Sequence, residues 1–513
     1  MGGPTAALPT RDLALWLAAF TVLLHVGVNL VTPYEFQRDE YLYFGMGQHL
    51  HWWRMDFPPF VALVANLTRA VLGESQVAMR LPSAVASGAI VWLAVRAARH
   101  LGGQGFAQCL AALCVLSGVL FLRAGALFQP TVWDQLWWTC ALFALLRLAQ
   151  TGGTRWWLAL GVAGGLGLLT KFSILFLGLS VLIALLLSPQ RRALATRWPW
   201  LTLLIALALG SPSLVGQIRL GFPVIGQLHD LQAVQLARVT PFDFTLGQLL
   251  ITGPAFAIAI AAVVALLVVP RFARLRVVGW TAVAAYATLL LLHGKHYYLG
   301  PIYPVLFGIG GALIESAASG WRRVLLRTVA VALPAGNGLF LSPVGLPFLA
   351  PPAMERYTVR TGLAPLVNGT NTGGRLRIPQ DYADALGWTD RVAAVARTYR
   401  DLDPVRRTKA VILAGNWGEA GALDFYGPQL GLPGVVSPSG SYWFFGPGAK
   451  RGEVLVTIGV GEDWLRPHCQ GLTAAAHLVN EWTVEEERDL TVYVCDEPGV
   501  TLQALWPRLA GRN

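Results

Sequence analysis

Two adjacent carboxylates, Asp39 and Glu40, follow the first long apolar run of the chain. A positioned carboxylate can act as a general base that removes a proton from an attacking hydroxyl group. Carboxylates beside a membrane span are costly unless they face water or take part in chemistry. The pair therefore marks a candidate catalytic site, and the alternative is an ordinary solvated loop at the membrane border.

Basic and aromatic side chains are concentrated in the segment from His293 to Pro304, which contains Lys295, His296 and Tyr298. These residue types donate hydrogen bonds to anionic groups, so the segment could bind a phosphate at the membrane surface. Two alternatives stay open. The segment could be an interfacial anchor, or His293 and His296 could share a metal ion, although no cysteine or obvious third ligand lies nearby in the sequence.

Two further charged residues lie in apolar surroundings. Asp134 stands one turn beyond Pro130 in a tryptophan-rich stretch, so its carboxylate must face an aqueous cavity or a cation. Lys171 ends the glycine-rich run 161–171, whose small residues suit close helix packing. A single lysine among apolar residues either binds an anion or extends its amine to the membrane surface, and both interpretations are open.

The composition excludes an ordinary soluble protein. Of 513 residues, 55% are hydrophobic and only 13% are charged, and the mean hydropathy is +0.53. These values are typical of a polytopic membrane protein. The basic residues behind the net charge of +11 are mostly arginines in short clusters between apolar runs, which is the pattern that orients membrane spans. We therefore expect no nucleic-acid partner.

Apolar runs long enough to cross the hydrocarbon core need about 20 residues. The runs that predict about eleven transmembrane helices lie near 13–32, 78–95, 104–122, 130–148, 156–170, 172–188, 199–216, 247–269, 277–293, 298–316 and 328–349. Arginine-rich loops alternate with loops that hold most of the acidic residues. The arginine-rich side should be cytoplasmic, which places the N-terminus inside and the C-terminal residues outside. Residues 1–349 are thus expected to form a transmembrane catalytic domain.

Three regions outside the spans have different expected structures. The outer loop 33–77 is rich in aromatic residues with polar tips, which predicts interfacial helices. The composition of 350–380 predicts an irregular linker. Alternating helix and strand patterns over 381–513 predict a small extracytoplasmic α/β domain. A disulfide between Cys469 and Cys495 of this domain is an open alternative in an oxidising compartment.

Taken in order, these motifs resemble glycosyltransferase family 39, the superfamily of protein O-mannosyltransferases and lipid A aminoarabinose transferases with the GT-C fold. The resemblance covers roughly residues 12–345. It rests on the segments Asp39-Glu40-Tyr41, Pro58-Pro59, Pro130 to Asp134, Gly164 to Lys171, and Lys295 through Pro304. The ordered set, rather than any one motif, carries the resemblance.

The resemblance implies a transferase that takes a hexose or pentose from a polyprenyl phosphate on the outer face of the membrane, with inversion of the anomeric carbon. Asp39 matches the family's general base on the acceptor hydroxyl, with Glu40 as its partner. Asp134 matches a second outer carboxylate, and Lys171 and Lys295 match positions near the donor phosphate.

The resemblance also suggests the other components of the reaction. Arg123 is a further candidate cation for the phosphate, His296 and Tyr298 are candidate substrate-binding residues, and His296 receives no catalytic role. Because cations can stabilise a departing phosphate, no cofactor is required, although a divalent metal would be compatible. The expected partners are a polyprenyl-phosphate-linked sugar donor, a protein, lipid or glycan acceptor, and membrane lipids. The implied location is the bacterial inner membrane.

A flippase or transporter of lipid-linked sugars is the alternative function, because many spans with intramembrane charges also suit a translocation pathway. Transporters tend to carry inverted repeats and to place charges near the middle of spans. Here the charges cluster at one membrane face and no repeat is evident, which favours an enzyme that works on one side.

Overall fold

The computed structural model describes residues 10–509, which form helices and one five-stranded sheet near the C-terminus. The chain divides into two compact units. The first unit contains the residues up to Val31 together with Val77–Phe348, and the second contains Thr32–Gln76 and the residues from Leu349 onward. The loop that follows the first apolar helix therefore belongs to the same unit as the C-terminal residues.

The elements are numbered along the chain. The α-helices are α1 (Thr10–Val31), α2 (Arg38–Gln48), α3 (Phe60–Leu72), α4 (Gln76–His100), α5 (Gly105–Leu116), α6 (Val119–Gly125), α7 (Pro130–Thr151), α8 (Arg155–Leu168), α9 (Ile174–Leu187), α10 (Arg197–Arg219), α11 (Pro223–Val234), α12 (Pro241–Thr252), α13 (Ala255–Val268), α14 (Arg276–Leu291), α15 (Tyr303–Ser316), α16 (Gly320–Gly345), α17 (Pro351–Arg360), α18 (Ala364–Val367), α19 (Gln380–Ala383), α20 (Trp388–Asp401), α21 (Pro404–Lys409), α22 (Trp417–Tyr426), α23 (Ser441–Phe445), α24 (Glu462–Leu465) and α25 (Leu502–Leu505). Short 3-10 helices span Pro189–Ala195, Leu236–Arg238, Pro270–Leu275, His296–Ile302, Gly427–Leu430, Glu485–Glu487 and Trp506–Leu509. The strands are β1 (Ala410–Ala414), β2 (Val435–Val436), β3 (Val454–Ile458), β4 (Cys469–Val479) and β5 (Asp489–Pro498).

Each of the eleven predicted membrane spans falls on one helix of the first unit or on a consecutive pair, whereas α11 lies outside all of them. Helices α8 and α9 have only 14 residues each, fewer than the about 20 that a span needs. Within residues 10–509, six helices are long and apolar enough to cross a membrane, and three sharply bent pairs raise the number to at most nine. The helical membrane architecture is confirmed, whereas the count of eleven spans stays a prediction.

Glycine and proline explain the sharpest bend between consecutive helices. The axes of α12 and α13 differ by 110° at a break that contains Gly253 and Pro254. Gly253 has a φ of 61°, which glycine adopts without strain, and Pro254 immediately precedes the first residue of α13. The break redirects a single apolar run, and hydropathy alone does not reveal such a change of direction.

Small residues let helices of the first unit approach one another closely. A Cβ atom added to Gly161 of α8 would lie 2.9 Å from the carbonyl oxygen of Thr202 in α10. One added to Gly165 would lie 3.1 Å from the carbonyl oxygen of Ala206. The glycine-rich run of α8 therefore packs directly on the backbone of α10, as its sequence predicts.

The second unit is built on a sheet with the strand order β2-β1-β3-β5-β4. Strands β2, β1 and β3 are parallel, and β5 is antiparallel to both β3 and β4. Every residue of β1 and β3 is buried, as expected of central strands covered on both faces. A disulfide joins Cys469 to Cys495. The predicted small C-terminal α/β layer is confirmed, and β2 and β4 are additions to it.

The outer loop 33–77 forms α2 and α3, but the aromatic residues of α2 do not form an exposed apolar face. Tyr41 is 0% exposed and Phe44 is 3% exposed. The Tyr41 ring lies 5.4 Å from the Trp388 ring between centroids, and the Phe44 ring lies 5.1 Å from that of Phe425. Helices α20 and α22 provide the apolar surface that covers these rings, and the local sequence of the loop could not indicate that partner.

The predicted linker 350–380 is not irregular throughout. It contains α17, which begins at Pro351, a residue suited to the first position of a helix. Glu355 of α17 forms an ion pair with Arg377, with 2.7 Å between Oε1 and Nε. The predicted division into 1–349, 350–380 and 381–513 stays a prediction.

Candidate functional site

The start of α2 places Asp39 and Glu40 in the first turn of the helix. The side-chain oxygen of Gln37 accepts a hydrogen bond from the backbone N–H of Asp39 at 2.9 Å. The backbone N–H of Gln37 donates to the Glu40 carboxylate at 2.7 Å, which completes a capping box. Glu40 is 0% exposed, whereas Asp39 is half-buried. Glu40 thus stabilises the helix start, and Asp39 is the carboxylate that retains access to solvent.

A tryptophan from the C-terminal part of the chain contacts the Asp39 carboxylate. The indole Nε1 of Trp417, the first residue of α22, donates a hydrogen bond to Asp39 Oδ1 at 3.3 Å. The guanidinium group of Arg38 lies over the same indole, 5.4 Å from the ring centroid. Trp417 was not predicted as a site residue, because no local pattern links it to a residue at the other end of the chain.

Arg38 balances the carboxylates around the start of α2. Its Nη1 lies 2.7 Å from Glu486 Oε1, and its Nε lies 3.6 Å from Asp384 Oδ1. Burial disfavours the Arg38 cation, but Asp384, Asp39 and Glu486 outweigh burial and raise the pKa of Arg38 above its ordinary value. Burial also raises the pKa of Asp384 to about 7, although Arg38 opposes that shift. Asp39 therefore stands next to a permanent positive charge.

Tyr43 and Asp56 extend this polar region. Tyr43 follows Asp39 by four residues, so both lie on the same face of α2. Burial raises the pKa of Tyr43 above its ordinary value, and the negative charges of Asp39 and Asp56 raise it further. Asp56 is 1% exposed and accepts a hydrogen bond from the Ser441 hydroxyl at 2.9 Å, and burial raises its pKa to about 6. The four-residue spacing was the available signal for Tyr43.

In the first unit, the predicted substrate-binding residues Lys171 and Lys295 both lie against a pair of tyrosines, one of which, Tyr298, was also predicted. The amine Nζ of Lys171 lies 4.6 Å from the ring centroid of Tyr298 and 5.2 Å from that of Tyr297. Lys295 Nζ lies 5.9 Å from the Tyr297 centroid, and the two rings are edge-to-face with centroids 4.7 Å apart. Cations are attracted to the faces of aromatic rings. We call Lys171, Lys295, Tyr297 and Tyr298 the lysine–tyrosine cluster.

Asp134 lies next to this cluster and is held there by a hydrogen bond from Ser173. The carboxylate of Asp134 is buried and accepts a hydrogen bond from the Ser173 hydroxyl at 2.6 Å. The indole Nε1 of Trp137 donates to the Thr170 hydroxyl at 3.0 Å. Both bonds join α7 to the turn between α8 and α9, and this turn carries Lys171. The structure therefore brings Asp134 and Lys171 together, as a buried carboxylate requires.

The remaining predicted residues lie elsewhere in the first unit. His296 packs its Cβ and ring against Gly247 of α12, and Arg123 is half-buried in the last turn of α6. His293 Nδ1 forms a hydrogen bond with a backbone carbonyl at 2.9 Å. Within residues 10–509, no group of three or more histidine, cysteine or acidic residues is arranged to hold a metal ion. In that range, His293 and His296 therefore have no third histidine, cysteine or acidic residue with which they could share a metal ion.

Comparison with protein families gives a match to part of this chain. Residues 56–215 match the family model described as dolichyl-phosphate-mannose-protein mannosyltransferase, and this range includes Asp134, Lys171 and Ser173. The chain is also 36% identical over 121 residues to undecaprenyl phosphate-alpha-4-amino-4-deoxy-L-arabinose arabinosyl transferase 1 of Pseudomonas fluorescens (strain Pf0-1). That alignment covers 23% of this chain and 21% of the relative, about a fifth of the relative's length.

Solved structures match the fold over most of the chain. The ArnT of Cupriavidus metallidurans bound to undecaprenyl phosphate aligns with 94% of this chain and 97% of its own, with a TM-score of 0.60 and 17% identity. The archaeal oligosaccharyltransferase AglB of Archaeoglobus fulgidus, in complex with an inhibitory peptide and a dolichol-phosphate, aligns over 88% of this chain and 70% of its own. Its TM-score is 0.50 at 13% identity. These alignments confirm the predicted GT-C fold and, at such identities, establish the fold alone.

Proposed function

We propose that this chain, whose residues 56–215 match the family model described as dolichyl-phosphate-mannose-protein mannosyltransferase and whose fold is GT-C, is a membrane glycosyltransferase. It transfers a sugar from a polyprenyl phosphate to an acceptor hydroxyl group. The observation that carries the proposal is the family match, which a flippase of lipid-linked sugars would leave unexplained. The names of the relatives support the donor class, since they specify undecaprenyl phosphate or dolichol-phosphate.

The lysine–tyrosine cluster is the proposed phosphate site. When the bond between the anomeric carbon and the phosphate oxygen breaks, the electron pair stays on the phosphate and its negative charge grows. Lys171 and Lys295 stabilise this charge, and fixed cations of this kind supply large rate effects in enzymes. The rings of Tyr297 and Tyr298 keep the two amines in place. The side chains of Arg123, His296 and Tyr298 stay proposed contacts to the substrate.

Asp39 is the proposed general base. It removes the proton of the acceptor hydroxyl while the oxygen attacks the anomeric carbon on the face opposite the phosphate, so the configuration inverts. Glu40 contributes indirectly, because its carboxylate closes the capping box that fixes the turn carrying Asp39. This division of roles is more specific than the sequence motif, in which the two carboxylates are simply neighbours.

The proposed location is the bacterial inner membrane, with the reaction on the extracytoplasmic face. Two observations support this orientation. Arginine-rich loops alternate with acidic loops along the first unit, and basic loops stay in the cytoplasm. The disulfide between Cys469 and Cys495 is typical of an oxidising compartment, which supports an outside location for the C-terminal residues. The enzyme would then bind its acceptor, whether a protein, a lipid or a glycan, on the extracytoplasmic side of the membrane.

The test is transfer by the purified full-length protein in lipid nanodiscs. Undecaprenyl phosphate carrying mannose or 4-amino-4-deoxy-arabinose is supplied with envelope protein, lipid or glycan fractions as acceptor. Mass spectrometry then measures free undecaprenyl phosphate and the glycosylated product. Release of undecaprenyl phosphate together with a sugar-bearing acceptor is expected with one of the donors. Intact donor in every mixture, combined with movement of that donor across proteoliposome membranes, would support a flippase instead.

A further inference from the structure

The C-terminal part of the chain supplies a hydrogen bond to the proposed base. Trp417 Nε1 donates to Asp39 Oδ1 at 3.3 Å across 378 positions of sequence. We infer that Trp417 is a positioning residue that holds the Asp39 carboxylate in the orientation and charge state needed to accept the acceptor proton. This inference rests on the proposed function of Asp39.

The turn that carries Trp417 is fixed by several partly buried hydrogen bonds. The side chain of Asn416 accepts from the backbone N–H groups of Gly418 and Glu419 at 2.8 and 3.0 Å, and Glu419 accepts in return from the N–H of Asn416 at 3.2 Å. The Asn416 amide also donates to Glu487 at 2.7 Å, and Glu487 is paired with Arg391 at 3.3 Å. Helix α22 therefore starts at a rigid point, and its first side chain has a defined direction.

The other side of Trp417 is closed by Arg38. The Arg38 guanidinium lies over the indole, and its side chain packs so tightly on Gly418 that an added Cβ would lie 2.4 Å from Arg38 Cγ. Arg38 is itself held by Asp384 and Glu486. The indole is thus confined between a capped turn and a paired arginine. It has little freedom to turn away from Asp39.

An indole N–H suits this task because it donates and cannot accept. A donor aimed at a carboxylate favours the charged form, which is the form a general base needs. It also restricts rotation of the carboxylate. Hydroxyl or carboxyl neighbours could exchange donor and acceptor roles, but the Trp417 nitrogen cannot.

The test compares Trp417→Phe, which keeps the aromatic ring and removes the donor, with the matched control Trp443→Phe. The Trp443 indole donates at 3.1 Å to the Trp506 carbonyl in the same unit. We expect Trp417→Phe to lower kcat/KM about tenfold, the loss of one hydrogen bond to a charged group. The acid limb of its pH profile should move upward by about one unit or less. The control should change neither quantity.

The groups that act electrostatically on Asp39 include Arg38, Tyr43 and Asp384, and these are unchanged in the variant, as is the neighbouring Glu40. A movement of the acid limb therefore reports the lost donor. A wild-type pH profile and a wild-type rate in folded Trp417→Phe would overturn the inference. If Asp39→Asn is inactive in the same assay, the assignment of Asp39 as the base would still stand.

A double-mutant cycle keeps the inference falsifiable if Trp417→Phe also lowers stability. Because Trp417 acts through Asp39, its substitution should cost little additional activity in an Asp39→Asn background. An equal loss in both backgrounds would show that Trp417 acts independently of Asp39 and would overturn the inference. Full activity of Asp39→Asn alone would instead remove the base on which both proposals depend.

Discussion

The amine of Lys171 lies 4.6 Å from the centroid of the Tyr298 ring, although the two residues come from different helical hairpins of the first unit. This contact argues against a lysine that only extends toward the membrane surface, because its charge is held against aromatic rings inside the unit. Lys295 shares the neighbouring ring of Tyr297. The pairing turns two isolated basic residues into one cationic site.

The first prediction concerns these lysines. Lys171→Ala and Lys295→Ala should each lower turnover about tenfold or more, because a cation that stabilises the departing phosphate acts in the transition state. Arginine at either position should restore part of the activity, since its guanidinium group keeps the positive charge but differs in shape from the lysine amine. Lys450→Ala, in the other unit, is the control and should transfer sugar normally. Wild-type turnover in both alanine variants would exclude Lys171 and Lys295 from the phosphate site.

The second prediction separates the ring of Tyr298 from its hydroxyl group. Tyr298→Phe keeps the aromatic face over which Lys171 lies, so turnover should stay within about threefold of wild type. Tyr298→Leu removes the face and should lower turnover nearly as much as Lys171→Ala. Steady-state rates for the two variants decide the point. Equal losses would assign the function to the hydroxyl group and not to the ring.

The third prediction concerns orientation. With Cys109, Cys114 and Cys140 replaced by serine, a cysteine at Arg192 should react with an impermeant maleimide only after the membrane is opened, whereas one at Thr408 should react in intact cells. Arg192 and Thr408 are exposed, so neither site is limited by burial. Labelling of both positions from the same side would contradict the proposed topology.

The sequence predicted those features that depend on local composition. Apolar runs located the helices of the first unit, and the glycines of α8 correctly indicated close contact with another helix. The strand at Ala410–Ala414 and the helix near 389–401 followed from local patterns for the same reason. In each case the neighbours along the chain determine the structure.

Contacts between distant segments could not be predicted in this way. The hydrogen bond from Trp417 to Asp39 and the burial of Tyr41 against Trp388 depend on how α2 packs on α20 and α22. The capping role of Glu40 was different, since Gln37 and Glu40 carry the spacing of a capping box, but the adjacent Asp39 made a catalytic pair the more natural interpretation.

The fourth prediction concerns the stability of the full-length protein as a function of pH. Burial raises the pKa of Asp56 from 3.8 to about 6, so the folded state binds a proton more tightly than the unfolded state. This contribution to stability is complete below the unfolded value and is lost as the pH rises through about 6. Asp56→Asn mimics the neutral form and keeps an acceptor for Ser441.

Thermal unfolding in detergent at about pH 5 and at about pH 7.5 checks this prediction. The melting temperature of the wild type should decrease more between these conditions than that of Asp56→Asn. Asp463→Asn, at an exposed position, is the control and should follow the wild type. Parallel decreases in wild type and Asp56→Asn would mean that Asp56 does not titrate in this range.

The most direct measurement compares sugar transfer by Asp39→Asn and Glu40→Gln in the nanodisc assay, with donor binding and melting temperature recorded for each. Asp39→Asn keeps the shape of the side chain and removes its basicity, so transfer should fall by roughly 10²-fold or more while the donor still binds. Glu40→Gln keeps the acceptor that closes the capping box, so its transfer should stay near normal. Near-normal transfer by folded, donor-bound Asp39→Asn, or a larger loss in Glu40→Gln, would contradict the assignment of Asp39 as the general base.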